Sequence, residues 1–226
     1  MEGMYSLKKP RFPMDTITKI LNATQGVSAK NISRDKGIMQ LLGLDIPLQE
    51  VRLVKTIIQL MDKLPCNPIS DDINESELGY RYIDPFLYGL FDDPDQGMYL
   101  RWTNEITIES RKNDDLTNKT RPNICITRLC GSRFSTNHGF GEVKSAAYNS
   151  NHFLLCKDFF MGQKGYLYIL LLPTNGMYMS LELGKVQVPN SLQDLAKLVM
   201  DAPLLLLILD VFERLCIPSN HERNLG

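Results

Sequence analysis

The sequence predicts an α/β (α+β) domain around one mixed sheet, and three observations carry that expectation. The first third places apolar residues at helical spacing. From residue 98 to residue 188, runs of β-branched and aromatic residues alternate with polar ones. The C-terminal part then returns to helical spacing after Asn190 and Ser191, which can cap a helix.

Residues 14–24 form a helix with Ile17, Ile20 and Leu21 on one face. Residues 47–64 form a second, with Leu48, Val51, Val54, Ile57, Ile58 and Met61 at three-and-four spacing. Pro47 suits its first turn and Pro65 ends it. Residues 66–74, with Pro68, Ser70, Asp71 and Asp72, read as a polar linker. Asn74 can then cap a helix running through Tyr80, Ile83, Leu87 and Leu90, with Pro85 expected to kink or divide it. Asp92, Asp93, Pro94, Asp95 and Gly97 mark a turn.

Strands are expected at 98–108, 124–129, 140–145, 166–172 and 176–188, with a connecting loop at 132–139 and a helix at 150–160. Trp102 and Tyr99 are assigned to the core on the first of these strands, and His138 to an exposed loop. The apolar run 202–209, broken by Pro203 and closed by Asp210, falls short of the ~20 residues a membrane span needs. It reads as a buried helix, and no membrane association is expected.

Composition narrows the function classes. With 43% hydrophobic and 23% charged residues and a net charge of -1, the chain is an ordinary globular protein and not a globally basic nucleic-acid binder. Between Arg101 and Lys144, however, eight basic residues face five acidic ones, a local excess of three positive charges. Five cysteines, odd in number and without a CxxC pair, suggest free thiols. No apolar leader opens the chain, so an intracellular protein, nuclear or cytoplasmic and not secreted, is expected.

The chemistry concentrates on two segments. Arg121-Pro122-Asn123 opens one strand, and Gly139-Phe140-Gly141-Glu142-Val143-Lys144 closes the next. If the two are antiparallel neighbours, Asn123 lies near Glu142 and Lys144, whose i, i+2 spacing puts them on one strand face. A carboxylate beside an ammonium suits phosphodiester hydrolysis: the one can hold Mg²⁺, the other can orient water and offset phosphate charge. Gly139, Gly141, Ser145, Ala146 and Ala147 are small enough for a nucleic-acid backbone to approach closely. Arg121, Arg128, Arg133 and His152 are the candidate nucleic-acid contacts. The N-terminal helices and the Leu-rich C-terminal helix are candidate surfaces for a protein partner.

This pattern resembles the PD-(D/E)XK nuclease-like superfamily, with Arg121-Pro-Asn … Gly141-Glu-Val-Lys144 standing for its acidic residue and E-x-K. Tyr82-Ile-Asp-Pro-Phe, Phe91-Asp-Asp-Pro-Asp, Leu100-Arg-Trp-Thr-Asn and Leu195-Ala-Lys-Leu-Val resemble uncharacterised fungal proteins carrying that core. The resemblance implies a restriction-endonuclease-like αβββαβ core over residues 74–216, an N-terminal helical extension over 1–66 and a tail over 217–226. It implies Glu142, Asn123 and Glu77 as ligands of Mg²⁺, and Lys144, with Glu142 and Asn123, as the catalytic group. Two departures weaken the implied activity. Asn123 lacks the negative charge of the aspartate that belongs there, which predicts a weak metal site and an impaired or inactive nuclease. The link 161–165 is also short, where a longer helix and an additional strand before Tyr166 are expected. The alternative is a non-catalytic module on the same fold, binding nucleic acid or protein.

Overall fold

The computed structural model describes residues 13–106, 108, 121–144, 158–161, 164–174 and 177–215. Three helices open the chain: α1 (Met14–Ser28), α2 (Arg34–Leu42) and α3 (Leu48–Lys63). The second has no counterpart in the expected elements. Its apolar stripe is short, and its start depends on Ser33, whose hydroxyl accepts from Lys36 N at 3.2 Å.

A helical segment then runs from Glu75 to Phe91 in three geometries: α4 (Glu75–Leu78), a π-turn (Gly79–Ile83) and α5 (Asp84–Phe91). Asn74 caps it as expected, its side-chain oxygen accepting from Glu77 N at 2.9 Å. Pro85 divides the segment as expected, standing at the start of α5 just after the π-turn. Proline has no N–H to give the carbonyl one turn back, and the helix widens to a π-turn just ahead of it, with Asp84 N bonding to Gly79 O.

The strands are β1 (Met98–Trp102), β2 (Ile124–Cys130), β3 (Arg133–Lys144), β4 (Asp158–Met161), β5 (Lys164–Thr174) and β6 (Met177–Gln187). They form one six-stranded sheet in sequence order, a mixed α+β architecture with every neighbour antiparallel except β3 and β4, which are parallel. After Ser191 come a 3-10 turn (Leu192–Asp194), α6 (Leu195–Met200) and α7 (Ala202–Leu215).

Two expectations change here. Residues 133–139 are strand, not loop: β2 and β3 join through the two-residue turn Gly131–Ser132, with Gly131 at φ +60° as a tight hairpin of this kind requires. Their polarity reflects a hairpin end exposed or half-buried on both faces. Residues 158–161 are likewise strand, not the end of a helix. A strand, β4, thus stands before Tyr166, ahead of the short link that follows it. The remainder of the expected helix, residues 150–157, lies outside the described residues.

The core occupies one face of the sheet. Ile124, Ile126, Val143, Leu167 and Val186 pack into a single cluster with Ile20, Leu53, Ile57, Phe86, Leu195 and Leu205. The cluster is continuous across the expected boundary at 66–74, so α1 to α3 share the core of the strands. Burial of this kind contributes roughly 1.5–3 kcal/mol per large aliphatic side chain. Helices α3 and α5 approach closely, and a Cβ on Gly89 would stand 2.3 Å from the backbone of Thr56. The apolar run in α7 is buried as expected, with Leu205 0% and Leu209 3% exposed. Among the described residues, no helix is long and apolar enough to cross a membrane.

Candidate functional site

Strand alternation divides the β2–β3 hairpin into two unlike faces. Val143, Ile124 and Ile126 face the helices, and Gly139 and Gly141 lie with them. A Cβ at Gly139 would meet Ile126 Cδ1 at 2.9 Å, and one at Gly141 would meet Ile124 Cβ at 3.1 Å. The smallness of these glycines therefore serves core packing and not the approach of a nucleic-acid backbone. Ser145, Ala146 and Ala147 lie outside the described residues.

Asn123, Glu142 and Lys144 belong to the reverse face. Ile124 pairs with Gly141, so Asn123 stands opposite Glu142, as the hairpin pattern requires. The Asn123 side-chain oxygen accepts from Val143 N at 3.1 Å, while its backbone carbonyl accepts from Thr103 N at 2.8 Å. One residue thus ties β2 to β3 and to the segment following β1. Beside it, Lys144 Nζ lies 3.0 Å from Glu142 Oε1, with the two side chains 28% and 15% exposed. Such a half-buried pair holds its geometry better than a solvated one and is less screened by salt.

Glu77 lies on α4, which approaches β3 and sends Leu78 into the core, and its carboxylate accepts from Arg81 Nε at 3.1 Å. The structure therefore gathers Asn123, Glu142 and Lys144 on one face and pairs Glu77 with Arg81. Arg121 and Arg133 are exposed and Arg128 is half-buried on β2; His152 lies outside the described residues. His138 is half-buried, its Nε2 3.2 Å from Thr136 Oγ1.

These residues do not fit a Mg²⁺ ion well. A hard cation takes oxygen ligands that carry charge and have lone pairs to spare. The Asn123 oxygen is neutral and engaged by Val143 N–H, and Glu142 already faces an ammonium. Among the described residues, no three His, Cys, Asp or Glu side chains form a group able to hold a metal ion.

Further down the reverse face, an open cleft of about 450 Å³ is lined by Arg101, Thr103, Cys125, Arg133, Phe134 and Asn137, among others. The Arg101 guanidinium carbon lies 4.0 Å from the centre of the Phe134 ring, and Tyr99 meets that ring edge-on at 6.0 Å. Tyr99 thus belongs to this surface and not to the core. Trp102 is 42% exposed and donates from Nε1 to Asp84 Oδ1 at 2.6 Å, packing over Gly79 of the π-turn. Sequence reasoning misses Arg101 and Phe134 as site residues because Phe134 falls in an expected loop. The signal that could have found them is Gly131-Ser132 between two β-prone runs.

A clear electrostatic departure lies outside this face. Burial holds the Asp92 carboxyl above the usual aspartate range, although its Oδ1 accepts from Leu100 N at 2.7 Å. The charge of Asp92, more than burial, in turn pushes the Tyr88 phenol up. Asp92 joins the end of α5 to β1 and is structural in role. No family model matches the chain, and no curated protein or solved structure matches it either.

Proposed function

We propose that the chain is a restriction-endonuclease-like module that holds nucleic acid on the reverse face of its sheet without cleaving it. The observation that carries this reading is the Asn123 side-chain oxygen accepting the Val143 N–H. At the position where the resemblance expects a metal-binding carboxylate, a neutral amide stitches two strands together, and Glu142 and Lys144 neutralise each other beside it. The order helix, three antiparallel strands and a parallel return to β4 supports the nuclease-like ancestry. The excess of basic residues between Arg101 and Lys144 supports a polyanionic partner.

The test incubates the full chain with labelled single- and double-stranded DNA and RNA in Mg²⁺ or Mn²⁺. Salt-dependent binding with the substrates left intact is expected. Metal-dependent cleavage that disappears in Lys144→Ala would sink the reading and restore Mg²⁺-dependent phosphodiester hydrolysis by Glu142 and Lys144. Asn123→Asp returns the missing charge and should produce a Mg²⁺-dependent rise in melting temperature that the wild type lacks.

One observation favours a protein partner as a second reading. Met39 and Leu42, neighbours at i, i+3 on α2, are 71% and 69% exposed. Cross-linking through a cysteine placed at Met39 would reveal such a partner, and capture that survives Met39→Glu with Leu42→Glu would exclude this surface.

A further inference from the structure

We infer that the cleft between β1 and the β2–β3 hairpin is a single-stranded nucleic-acid site, in which bases stack on the Phe134–Arg101 layer and the backbone passes Arg133. The inference rests on the nucleic-acid reading above and specifies its ligand and its residues.

The cleft's size, about 450 Å³, falls among small-ligand and nucleotide sites, which span roughly 300–1,000 Å³. Its chemistry is selective. Two guanidiniums, Arg101 and Arg133, stand against one lining carboxylate, Glu105, so the surface favours an anion. Phe134 is 42% exposed near the tip of the hairpin. Its ring is braced by Tyr99 at 78° and by the Arg101 guanidinium at 4.0 Å. A planar base laid on this layer meets a π-surface on the ring or on the guanidinium, the sequence-tolerant contact by which single strands are held. A paired base inside a duplex presents no such face.

Position adds a second argument. Thr103 lines the cleft and bonds through its N–H to the Asn123 carbonyl, next to Glu142 and Lys144. Arg133 and Phe134 begin β3 at the hairpin turn. The seven residues of β2 separate the two ends by about 20 Å at ~3.3 Å per residue. The cleft and the degenerate motif therefore share one sheet face, whose length exceeds that of a single nucleotide. An acidic peptide would satisfy the arginines but gain little from the aromatic layer.

The experiment measures fluorescence anisotropy of a labelled mixed-sequence single strand of about 15 nucleotides, within the span of known single-stranded sites, against the full chain. Phe134→Ala should weaken binding about 5- to 150-fold, the equivalent of one stacked base, while Phe134→Tyr restores it. Arg133→Ala should lower the salt slope by roughly 0.7, for the one phosphate left without its guanidinium. Arg133 is exposed, so Arg133→Glu alone serves as a variant whose folding is not in question. Unchanged binding in Phe134→Ala and Arg133→Glu, with loss in Lys144→Ala or Arg121→Ala, overturns the cleft and leaves the nucleic-acid reading standing. So does a mononucleotide that competes as well as the strand, or a duplex that binds as tightly. Absence of binding to any DNA or RNA at low salt overturns both.

Discussion

The two faces of the β2–β3 hairpin are built from alternate positions of the same two strands, yet they differ in almost every physical respect. The inner face carries Ile124, Ile126 and Val143, each at most 4% exposed and seated among helices. The reverse face carries Asn123, Glu142, Lys144 and Phe134, with Arg101 joining them from β1, partly open and tied by directional contacts. The inner face is insensitive to which apolar side chain meets which, provided volume is kept. The reverse face depends on particular donors and acceptors, such as the Asn123 side-chain oxygen that holds the Val143 N–H. Apolar packing and directional polar contacts are thus separated by one strand step.

The comparison can be broken first where the helices meet. Ile57→Ala empties a fully buried position on α3 and should lower unfolding free energy by about 2–5 kcal/mol, measured by urea denaturation. Gly89→Ala forces a Cβ against the Thr56 backbone and should cost about 1–3 kcal/mol in the same assay. A neutral result would mean that α3 and α5 can slide apart. On the reverse face, Asn123→Ala removes the acceptor of Val143 N–H and should cost about 1 kcal/mol, with faster hydrogen exchange at Val143. Lys144→Met should shift stability by less than about 1 kcal/mol while weakening nucleic-acid binding; the reverse outcome would assign Lys144 to the fold and not to the site.

The smallest effect concerns pH. The folded state holds the Asp92 proton more tightly than the unfolded state does. As pH rises from the ordinary aspartate range through the raised folded value, the native protein therefore loses stability that Asp92 contributed while protonated. Asp92→Asn keeps an acceptor for Leu100 N–H and removes the charge. Its melting temperature should lose part of the wild type's dependence over that window. An identical pH profile would show that Asp92 ionises without penalty.

Much of the architecture was legible in the residues. Periodicity located α1, α3, α7 and most strands, and Asn74 announced the helix it caps. The pairing of Asn123 with Glu142 followed from the spacing of two strands and from the side-chain period of two. What was illegible has a common cause. The polar start of β3 looks like a loop, because a strand with water on both faces has no hydrophobic alternation. The short strand β4 draws its identity from parallel pairing with β3 and from no pattern of its own. Pro85 announced a division of the helix, but the π-turn that makes it has no pattern of its own in the residues.

The sequence by itself determined that Glu142 and Lys144 share a face, because strand geometry is local. Only the tertiary structure decided their partners. It set Asn123 against Val143 N–H, paired Glu77 with Arg81, and brought Arg101 over Phe134 from strands more than thirty residues apart. Those outcomes depend on sheet register and on which face the helices cover, and a one-residue slip in either would exchange the two faces.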